Sequence, residues 1–234
     1  MFKKMLENVR NNCPLIHNIT NYVTVNDCAN IVIACGAAPI MSDDKEEVEE
    51  ITTICSGLNI NIGTLNNRTI DSMLIAGKRA NKLNHPIVLD PVGAGASRLR
   101  REAAMKLLEE VKFAVIRGNI SEIKTLASGN GTTKGVDADD KTAYCIYNGH
   151  PMMSSITGTG CQLSAMTAGF VTANPEHLLE AASASVAAMG LAGEIAYQRL
   201  TKRDGNSSYR NYIIDAIYNM TPEQLEKGTK YEVR

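Results

Sequence analysis

The stretch LNINIGTLNNRTIDSMLIAGKRANKLNHPIVLDPV, residues 58–92, decides the fold class of this chain. It contains two apolar runs of strand length, 58–65 and 85–92, which end in glycine, proline or polar residues as buried parallel strands do. Between them, residues 67–82 carry apolar side chains at helical spacing. Because parallel neighbours need a crossover connection that is usually a helix, this stretch predicts a strand–helix–strand unit.

The same alternation continues on both sides of this stretch. FAVIRGN (113–119) is a further strand candidate, and helical patterns cover Lys45–Ile54 and 97–111. The last third of the chain is helical, with predicted helices at 161–173, 176–200 and 207–220 and a short one after Thr221. We therefore predict an α/β fold of three layers, αβα, with a mostly parallel central sheet between the helices.

Length, composition and charge exclude several classes of protein. The chain has 234 residues, which suits one domain, and we assign residues 1–234 to a single domain. With 44% apolar and 21% charged residues, the composition is that of an ordinary globule and not of a disordered or fibrous chain. The formal net charge of −1 provides no broad basic surface, so we predict no nucleic-acid partner.

The sequence also argues against a membrane or a secreted location. The longest apolar candidate, residues 181–193, is built from small residues between Glu180 and Glu194, which favours a tightly packed core helix. The first residues contain no apolar signal region, and the six cysteines form no C-x-x-C pair. We therefore expect a cytoplasmic protein with reduced thiols and no membrane contact.

Polar residues that directly follow two of the predicted strands form one candidate site. Asp90 follows one strand, and Arg117, Asn119 and Glu122 follow the next. Ligands of open α/β sheets bind beyond the carboxyl ends of the strands, and two acids with an arginine could hold a divalent metal and a phosphate. The alternative is structural: Asp90 caps a turn and Asn119 or Ser121 caps the next helix.

The segment SSITGTGCQLSAMTAGF (154–170) gives the strongest local signal. Gly158 and Gly160 make a flexible turn that leads into a helix, and a helix start exposes several backbone N–H groups together with the positive end of the helix dipole. We predict an anion site there, with a phosphate as its ligand. In the alternative interpretation Thr157 or Thr159 is only the helix cap and Cys161 only packs in the core.

Asparagines cluster in the segment 14–44, around a helix predicted at Val23–Cys35. Asn18 and Asn21 precede this helix, where caps are expected. Asn30 lies inside it, and a polar side chain in an apolar helix needs a partner, either in the protein or on a ligand. Met41 ends a short strand and is either a site residue or core packing.

Taken together, five segments resemble the 4-methyl-5-(2-hydroxyethyl)thiazole kinases, thiamine-salvage enzymes with a ribokinase-like fold. The segments are HNITNYVTVNDCANIVIACGAAPIMSD (17–43), NINIGTL (59–65), VLDPVGAGAS (88–97), RGNISEI (117–123) and NGHPMMSSITGTGCQLSA (148–165). The resemblance covers nearly the whole chain in order. The glycine-rich element is shared with other ribokinase-like kinases, whereas the asparagine-rich segment joined to PIMSD is specific to this family.

The resemblance implies transfer of the γ-phosphoryl group of ATP to the primary alcohol of the thiazole, with Mg²⁺, in a homotrimer whose thiazole sites lie between subunits. By position, it implies a thiazole site of Asn21, Val23, Met41, Gly63 and Gly158. It implies ATP contacts by Arg117, Thr157 and Asn119, metal contacts by Asp90 and Glu122, and an anion hole formed by Gly158, Thr159, Gly160 and Cys161.

Related kinases commonly have an aspartate where this chain has Cys161. A thiolate is a workable but poorer base toward an oxygen. Phosphoryl transfer passes through a loose transition state in which positioned N–H groups and cations provide most of the stabilisation, so a strong base is optional. We therefore expect Cys161 only to assist the reaction.

One region departs from the family pattern. Between GVDAD (135–139) and KTAYCIYNGHP (141–151) the family normally has a further helix and strand, ending in a turn whose threonine contacts ATP. A unit of this kind is on the order of 30 residues. Its absence means either a natural deletion that impairs ATP binding or a numbering that closes over a missing segment near 137–140. We predict the second, with consecutive Cα atoms there farther apart than the usual ~3.8 Å.

Two other functions remain open from the sequence. One is a ribokinase-like kinase of another small heterocyclic alcohol such as hydroxymethylpyrimidine, although Asn21 and Met41 favour the thiazole. The other is a protein that binds a nucleotide or a thiamine precursor without turnover.

Overall fold

The structure is a computed structural model that describes residues 1–128 and 142–234. Its centre is a parallel sheet with the strand order β2-β1-β3-β4-β5. The strands are β1 (Leu15–Ile19), β2 (Ala38–Met41), β3 (Gly57–Asn61), β4 (Ile87–Asp90) and β5 (Val115–Ile116). A small antiparallel pair, β6 (Tyr144–Ile146) and β7 (Tyr231–Val233), lies outside this sheet. The predicted parallel sheet is confirmed.

Helices cover both faces of the sheet, as predicted. They are α1 (Phe2–Asn12), α2 (Val25–Cys35), α3 (Val48–Ile54), α4 (Asn67–Lys82), α5 (Arg98–Glu110), α6 (Ile120–Ser128), α7 (Thr159–Ala173), α8 (Leu178–Arg199), α9 (Asn206–Asn219) and α10 (Pro222–Gly228). One apolar core joins α1, α2 and α7 to α10 on one face, and a second core joins α3 to α6 on the other. The result is the three-layer αβα architecture.

Local sequence signals explain where the helices begin. Asn66 and Thr69 form a reciprocal capping box at the start of α4, and Ser97 accepts the backbone N–H of Arg100 at the start of α5. The predicted cap and capping-box partner of the last helix, Thr221 and Gln224, are confirmed by the same reciprocal hydrogen bonds.

The register of the parallel strands aligns their carboxyl ends. Asn61 is paired with Asp90 across β3 and β4, and Leu89 is paired with Ile116 across β4 and β5. Arg117, which directly follows β5, therefore lies beside the end of β4. Along β3 the apolar residues 58 and 60 face the α3 to α6 core. Because side chains alternate along a strand, Asn59 and Asn61 face α7 instead.

One expectation about the asparagines was wrong, and one open alternative is decided. Asn18 is not a helix cap: it is a buried residue of β1 that donates to the Ile16 carbonyl at 3.0 Å and accepts from Asn59 at 3.1 Å. Asn30 is exposed and bonds Asn26 within its own helix, so it needs no ligand. In the sequence, a buried strand asparagine such as Asn18 cannot be told from a helix cap, and an exposed helix asparagine such as Asn30 cannot be told from a buried one. Strand β1, helix α1 and the pair β6–β7 were not predicted.

The small-residue segment 181–193 is a core helix, as predicted. It lies within α8, which is long and apolar enough to cross a membrane by length and composition alone, and 61% of its most apolar window is buried inside the protein. Ala184, Ala188 and Ala192 on this helix are almost fully buried. The predicted chain break near 137–140 lies outside the described residues.

Candidate active site

A cleft of about 390 Å³ lies at the carboxyl ends of the parallel strands. It is lined by Asn21, Val23, Thr24, Gly63, Thr64, Asp90, Val92, Arg100, Arg117, Asn119, Glu122, Thr157, Gly158, Gly160 and Cys161. This set joins the residues predicted from strand ends, from the glycine-rich turn and from the asparagine-rich segment. Two predicted residues do not line the cleft: Met41 is half-buried at the end of the edge strand β2, and Thr159 is the first residue of α7.

The glycine-rich turn opens α7 toward the cleft. Gly158 has φ +85°, and a Cβ atom there would come within 2.3 Å of Thr24 Cγ2, so glycine is required for both conformation and space. The first bond of the helix runs from the Gln162 N–H to the Gly158 carbonyl at 2.9 Å. The N–H groups of residues 159 to 161 therefore have no partner within the helix, as in other anion-binding helix starts.

The guanidinium of Arg117 packs against this helix start. A Cβ atom on Gly160 would lie 2.8 Å from Arg117 Nη1 and 2.9 Å from Nη2, so the second glycine makes the close approach possible. Arg117 Nη1 is also 3.5 Å from Asp90 Oδ1. A cation and free N–H groups thus share one end of the cleft, an arrangement that attracts a phosphate.

Asp90 is completely buried at the end of β4. Its Oδ2 accepts hydrogen bonds from Asn61 Nδ2 at 2.9 Å and from Ser164 Oγ at 2.8 Å. Its Oδ1 lies at ion-pair distance from Arg117 but has no hydrogen-bond partner among the described residues. Burial raises the pKa of Asp90 to about 6, against the opposing effects of Arg117 and of the two donors.

Asn119 also caps helix α6, which was the structural alternative for this residue, and Glu122 is its capping partner. The Glu122 N–H donates to Asn119 Oδ1 at 3.0 Å, and the Asn119 N–H donates to Glu122 Oε2 at 2.8 Å, which is a capping box at the start of α6. Glu122 Oε1 accepts the Gly93 N–H at 2.8 Å. These bonds fix the Glu122 carboxylate at the wall of the cleft.

At the other end of the cleft, the Asn21 side chain bonds residues from three different segments of the chain. Its Oδ1 accepts from the Thr24 N–H and hydroxyl at 3.2 and 3.1 Å. Its Nδ2 donates to Asn61 Oδ1 at 3.0 Å and to Cys161 Sγ at 3.2 Å. A Cβ atom on Gly63 would lie 2.9 Å from the Asn21 side chain, so Gly63 keeps the space beside this amide open.

The acids of the cleft fit a magnesium ion bound together with phosphate. Among residues 1–128 and 142–234 no cluster of three His, Cys, Asp or Glu side chains could hold a metal. The cleft instead supplies two carboxylates, Asp90 with a buried and unbonded oxygen, and Glu122. Mg²⁺ is typically held by one or two carboxylates, several waters and substrate phosphates, so this donor set suits it.

Sequence reasoning missed three residues that build the site. Arg100 Nη1 donates to the Val92 carbonyl at 2.8 Å, and its Nη2 donates to the Gly63 carbonyl, so this side chain joins two loops of the cleft. In the sequence, Arg100 is one of several arginines near the start of α5, and nothing there distinguishes it as a site residue. Asn61 and Ser164 are the other two, and both bind Asp90. The asparagines of LNINI (58–62) alternate with apolar residues in a buried strand, and this pattern could have indicated buried polar side chains that need a partner.

Comparisons with known proteins identify the relatives of this chain. A family model described as the hydroxyethylthiazole kinase family matches residues 6–144 and 138–223. The hydroxyethylthiazole kinase of Clostridium acetobutylicum is 59% identical, with 99% of each chain covered, and that of Clostridium tetani is 46% identical, with 93% of each covered. The structure of a hydroxyethylthiazole kinase from Pyrococcus horikoshii superposes with a TM-score of 0.90 at 32% identity and covers 100% of this chain and 98% of that one.

The same comparisons bear on the region before β6. The alignment with the Clostridium acetobutylicum protein extends over 271 positions, whereas this chain has 234 residues, so at least 37 positions have no counterpart here. The two stretches matched by the family model meet at residues 138–144.

We expect Gly160→Ala to weaken anion binding without destabilising the fold. Alanine is favoured over glycine in a helix by about 1 kcal/mol, but its Cβ would displace the Arg117 guanidinium. Loss of a charge-assisted hydrogen bond should weaken ATP binding about tenfold or more. Calorimetric titration with ATP measures this, and thermal unfolding measures stability. Gly205→Ala is the matched control, because nothing lies within 4 Å of a Cβ atom there; equal effects of both variants would contradict the prediction.

We expect Asp90→Asn to stabilise the metal-free protein above about pH 6. The pKa of Asp90 is about 6 in the folded protein, and an unfolded aspartate has a pKa of about 3.9. Ionised Asp90 therefore costs the folded state up to about 3 kcal/mol at neutral pH, and this cost disappears as the pH falls from about 6 to about 4.

Denaturant unfolding of both proteins across this pH range tests the prediction. The stability advantage of the variant should shrink below about pH 6 and be gone near about pH 4. The exposed Asp71, replaced as Asp71→Asn, is the control. A stability difference that does not change with pH would contradict the expected titration of Asp90.

Proposed function

The chain belongs to the hydroxyethylthiazole kinase family, and we propose that it transfers the γ-phosphoryl group of ATP to the primary hydroxyl of 4-methyl-5-(2-hydroxyethyl)thiazole in thiamine biosynthesis or salvage. One observation carries this proposal. A single cleft joins the free N–H groups at the start of α7, the Arg117 guanidinium and the buried Asp90 carboxylate. These are the groups that a phosphoryl transfer without covalent catalysis requires.

The residues of the cleft stabilise the transferring group mainly by position and charge. The transition state is loose and carries charge on its equatorial oxygens, which the N–H groups of residues 159 to 161 and the Arg117 guanidinium can bind. Asp90 and Glu122 would hold Mg²⁺, which when bound neutralises charge on the phosphates. Gly160 leaves space for Arg117 against the helix start, and Asn21 Nδ2 donates to Cys161 Sγ, so contacts within the protein position groups at both ends of the cleft.

The thiazole occupies the end of the cleft beside Asn21, Val23, Gly63 and Gly158 in this proposal, and Met41 completes the site. Met41 belongs to the edge strand β2 and does not line the cleft of this chain. Val23 and Ile33 near this edge are apolar and more than half exposed. A homotrimer whose thiazole sites lie between subunits is part of this proposal, and the position of Met41 at the sheet edge, outside the cleft of one chain, supports a site that a second copy completes.

We propose that residues 1–234 form one kinase domain, because both apolar cores of the described residues pack on the same sheet. A cytoplasmic location is also part of the proposal and rests on the kinase family alone. The aligned positions without a counterpart in this chain support a segment that relatives carry between the two matched stretches and that this sequence lacks.

A coupled assay of ADP release with MgATP tests the proposed function. The substrates are hydroxyethylthiazole, hydroxymethylpyrimidine and 5-ethyl-4-methylthiazole, which lacks the hydroxyl. We expect ADP release with hydroxyethylthiazole, much less with the pyrimidine and none above background with the ethyl compound. Phosphorus NMR should show a phosphate monoester. Faster turnover of the pyrimidine would assign another alcohol, and thiazole or ATP binding without ADP release would support a binding protein; either result overturns the proposal.

We expect Cys161→Ser to retain turnover. If Cys161 only assists, kcat should fall by less than the ~100-fold at the low end of what a general base contributes. The assay above measures kcat, and Cys55→Ser, a buried cysteine outside the cleft, is the control. A Cys161→Ser variant that folds and binds ATP but does not turn over would show that Cys161 is an essential base.

A further inference from the structure

A buried asparagine joins the two ends of the cleft. Asn61 is the last residue of β3 and is 1% exposed. Its amide lies between Asn21 on the thiazole side and Asp90 on the phosphate side, at 3.0 and 2.9 Å. Asn61 itself does not line the cleft, so it can act only through these two neighbours.

The hydrogen bonds fix the orientation of this amide without ambiguity. The Gly63 backbone N–H can only donate, and it points to Asn61 Oδ1 at 2.9 Å. Asn61 Nδ2 must therefore be the atom that faces Asp90 Oδ2. In the same way the Thr24 N–H assigns Oδ1 of Asn21, so that Asn21 Nδ2 faces Asn61 Oδ1. The donors and acceptors run in one direction, from Asn21 through Asn61 to Asp90.

The two carboxylate oxygens of Asp90 therefore have different partners. Oδ2 receives both donors, Asn61 Nδ2 and Ser164 Oγ. Oδ1 is equally buried but accepts no hydrogen bond among the described residues and lies 3.5 Å from Arg117. A carboxylate held by one oxygen cannot rotate without breaking two buried bonds, so Oδ1 stays directed toward Arg117.

We propose that Asn61 and Ser164 are positioning residues of the kinase: together they hold Asp90 so that its Oδ1 serves the phosphate end, and Asn61 also holds the Asn21 amide at the thiazole end. This inference rests on the proposed function. It predicts different effects for the two residues, because among the described residues the Ser164 side chain bonds Asp90 alone, whereas Asn61 bonds both Asp90 and Asn21.

The neighbouring Asn59 provides a matched comparison. It lies on the same strand and the same face as Asn61 and is also fully buried. Its Nδ2 donates to Asn18, which does not line the cleft. Replacing either asparagine removes one buried amide from β3, so both replacements should affect stability. Only the change at Asn61 should affect the reaction.

The test measures kcat and the KM for hydroxyethylthiazole in Asn61→Leu and Asn59→Leu. Loss of a group that orients a ligand-binding residue typically costs 10- to 100-fold in activity, so we expect kcat of Asn61→Leu to fall by about that factor. Its thiazole KM should rise several-fold, because the Asn21 amide is released. Asn59→Leu should lower the unfolding temperature but leave kcat and KM close to wild type.

A second pair of variants keeps the test decisive if Asn61→Leu does not fold. Ser164→Ala removes one donor to Asp90 within a helix that alanine favours, and Ser185→Ala removes a buried hydroxyl on α8 away from the cleft. We expect Ser164→Ala to lower kcat with an unchanged thiazole KM. Ser185→Ala should change neither.

Three results would overturn the proposal: a folded Asn61→Leu with wild-type kcat and KM, an Asn59→Leu that loses as much kcat as Asn61→Leu, or a Ser164→Ala with wild-type kcat. Calorimetric titration of each protein with hydroxyethylthiazole separates this from failure of the function itself. If wild type binds the thiazole but releases no ADP, the kinase function fails. In that case the thiazole affinities of the two variants still test the contact with Asn21, and we expect Asn61→Leu to bind the thiazole more weakly than Asn59→Leu.

Discussion

A carboxylate buried at the end of a central strand is the constraint on which the site depends. Asp90 has no exposed surface, and an ionised carboxyl in such a place is costly unless hydrogen bonds and an opposite charge compensate it. Three elements supply that compensation: β3 provides Asn61, α7 provides Ser164 and the residue after β5 provides Arg117. The hydrogen bonds and the ion pair of this one carboxylate therefore connect the ends of β3 and β5 and the first turns of α7 to the end of β4.

Close approach is the second requirement, and glycine meets it at the start of α7. The helix can place its free N–H groups beside a cation only if no side chain lies between them, and Gly160 leaves this space for Arg117. Gly158 allows both the left-handed turn and the contact with Thr24. An isolated pair of cation and helix start would repel each other slightly through the helix dipole, so the arrangement is stabilised fully when an anion lies between them.

Much of the layout was predictable because it is local. The alternation of apolar strands and helices specified the parallel sheet and hence which edge would carry the site, and the strand ends and glycine turn identified Asp90, Arg117 and Gly158. Residues whose role comes from partners distant in sequence were missed. Asn61 meets Asn21 across 40 residues and Ser164 meets Asp90 across 74, and no periodicity reports such contacts. Asn18 was misplaced because caps and buried strand asparagines share one pattern.

The sheet does not support all parts of the cleft equally. Asn21, Asn61 and Asp90 follow or end β1, β3 and β4, each of which is paired with a strand on both sides. Arg117 follows β5, a strand of two residues that is paired only with β4 in the part of the chain described here. Among the described residues, the Arg117 backbone makes one hydrogen bond, from its N–H to the Leu89 carbonyl at 2.9 Å. Because ladder bonds on both sides restrain a strand more than bonds on one, the described part of the sheet holds Arg117 less firmly than it holds Asp90. The contacts of Arg117 with Asp90 and with the start of α7 are then needed to position its guanidinium, not merely to neutralise a charge.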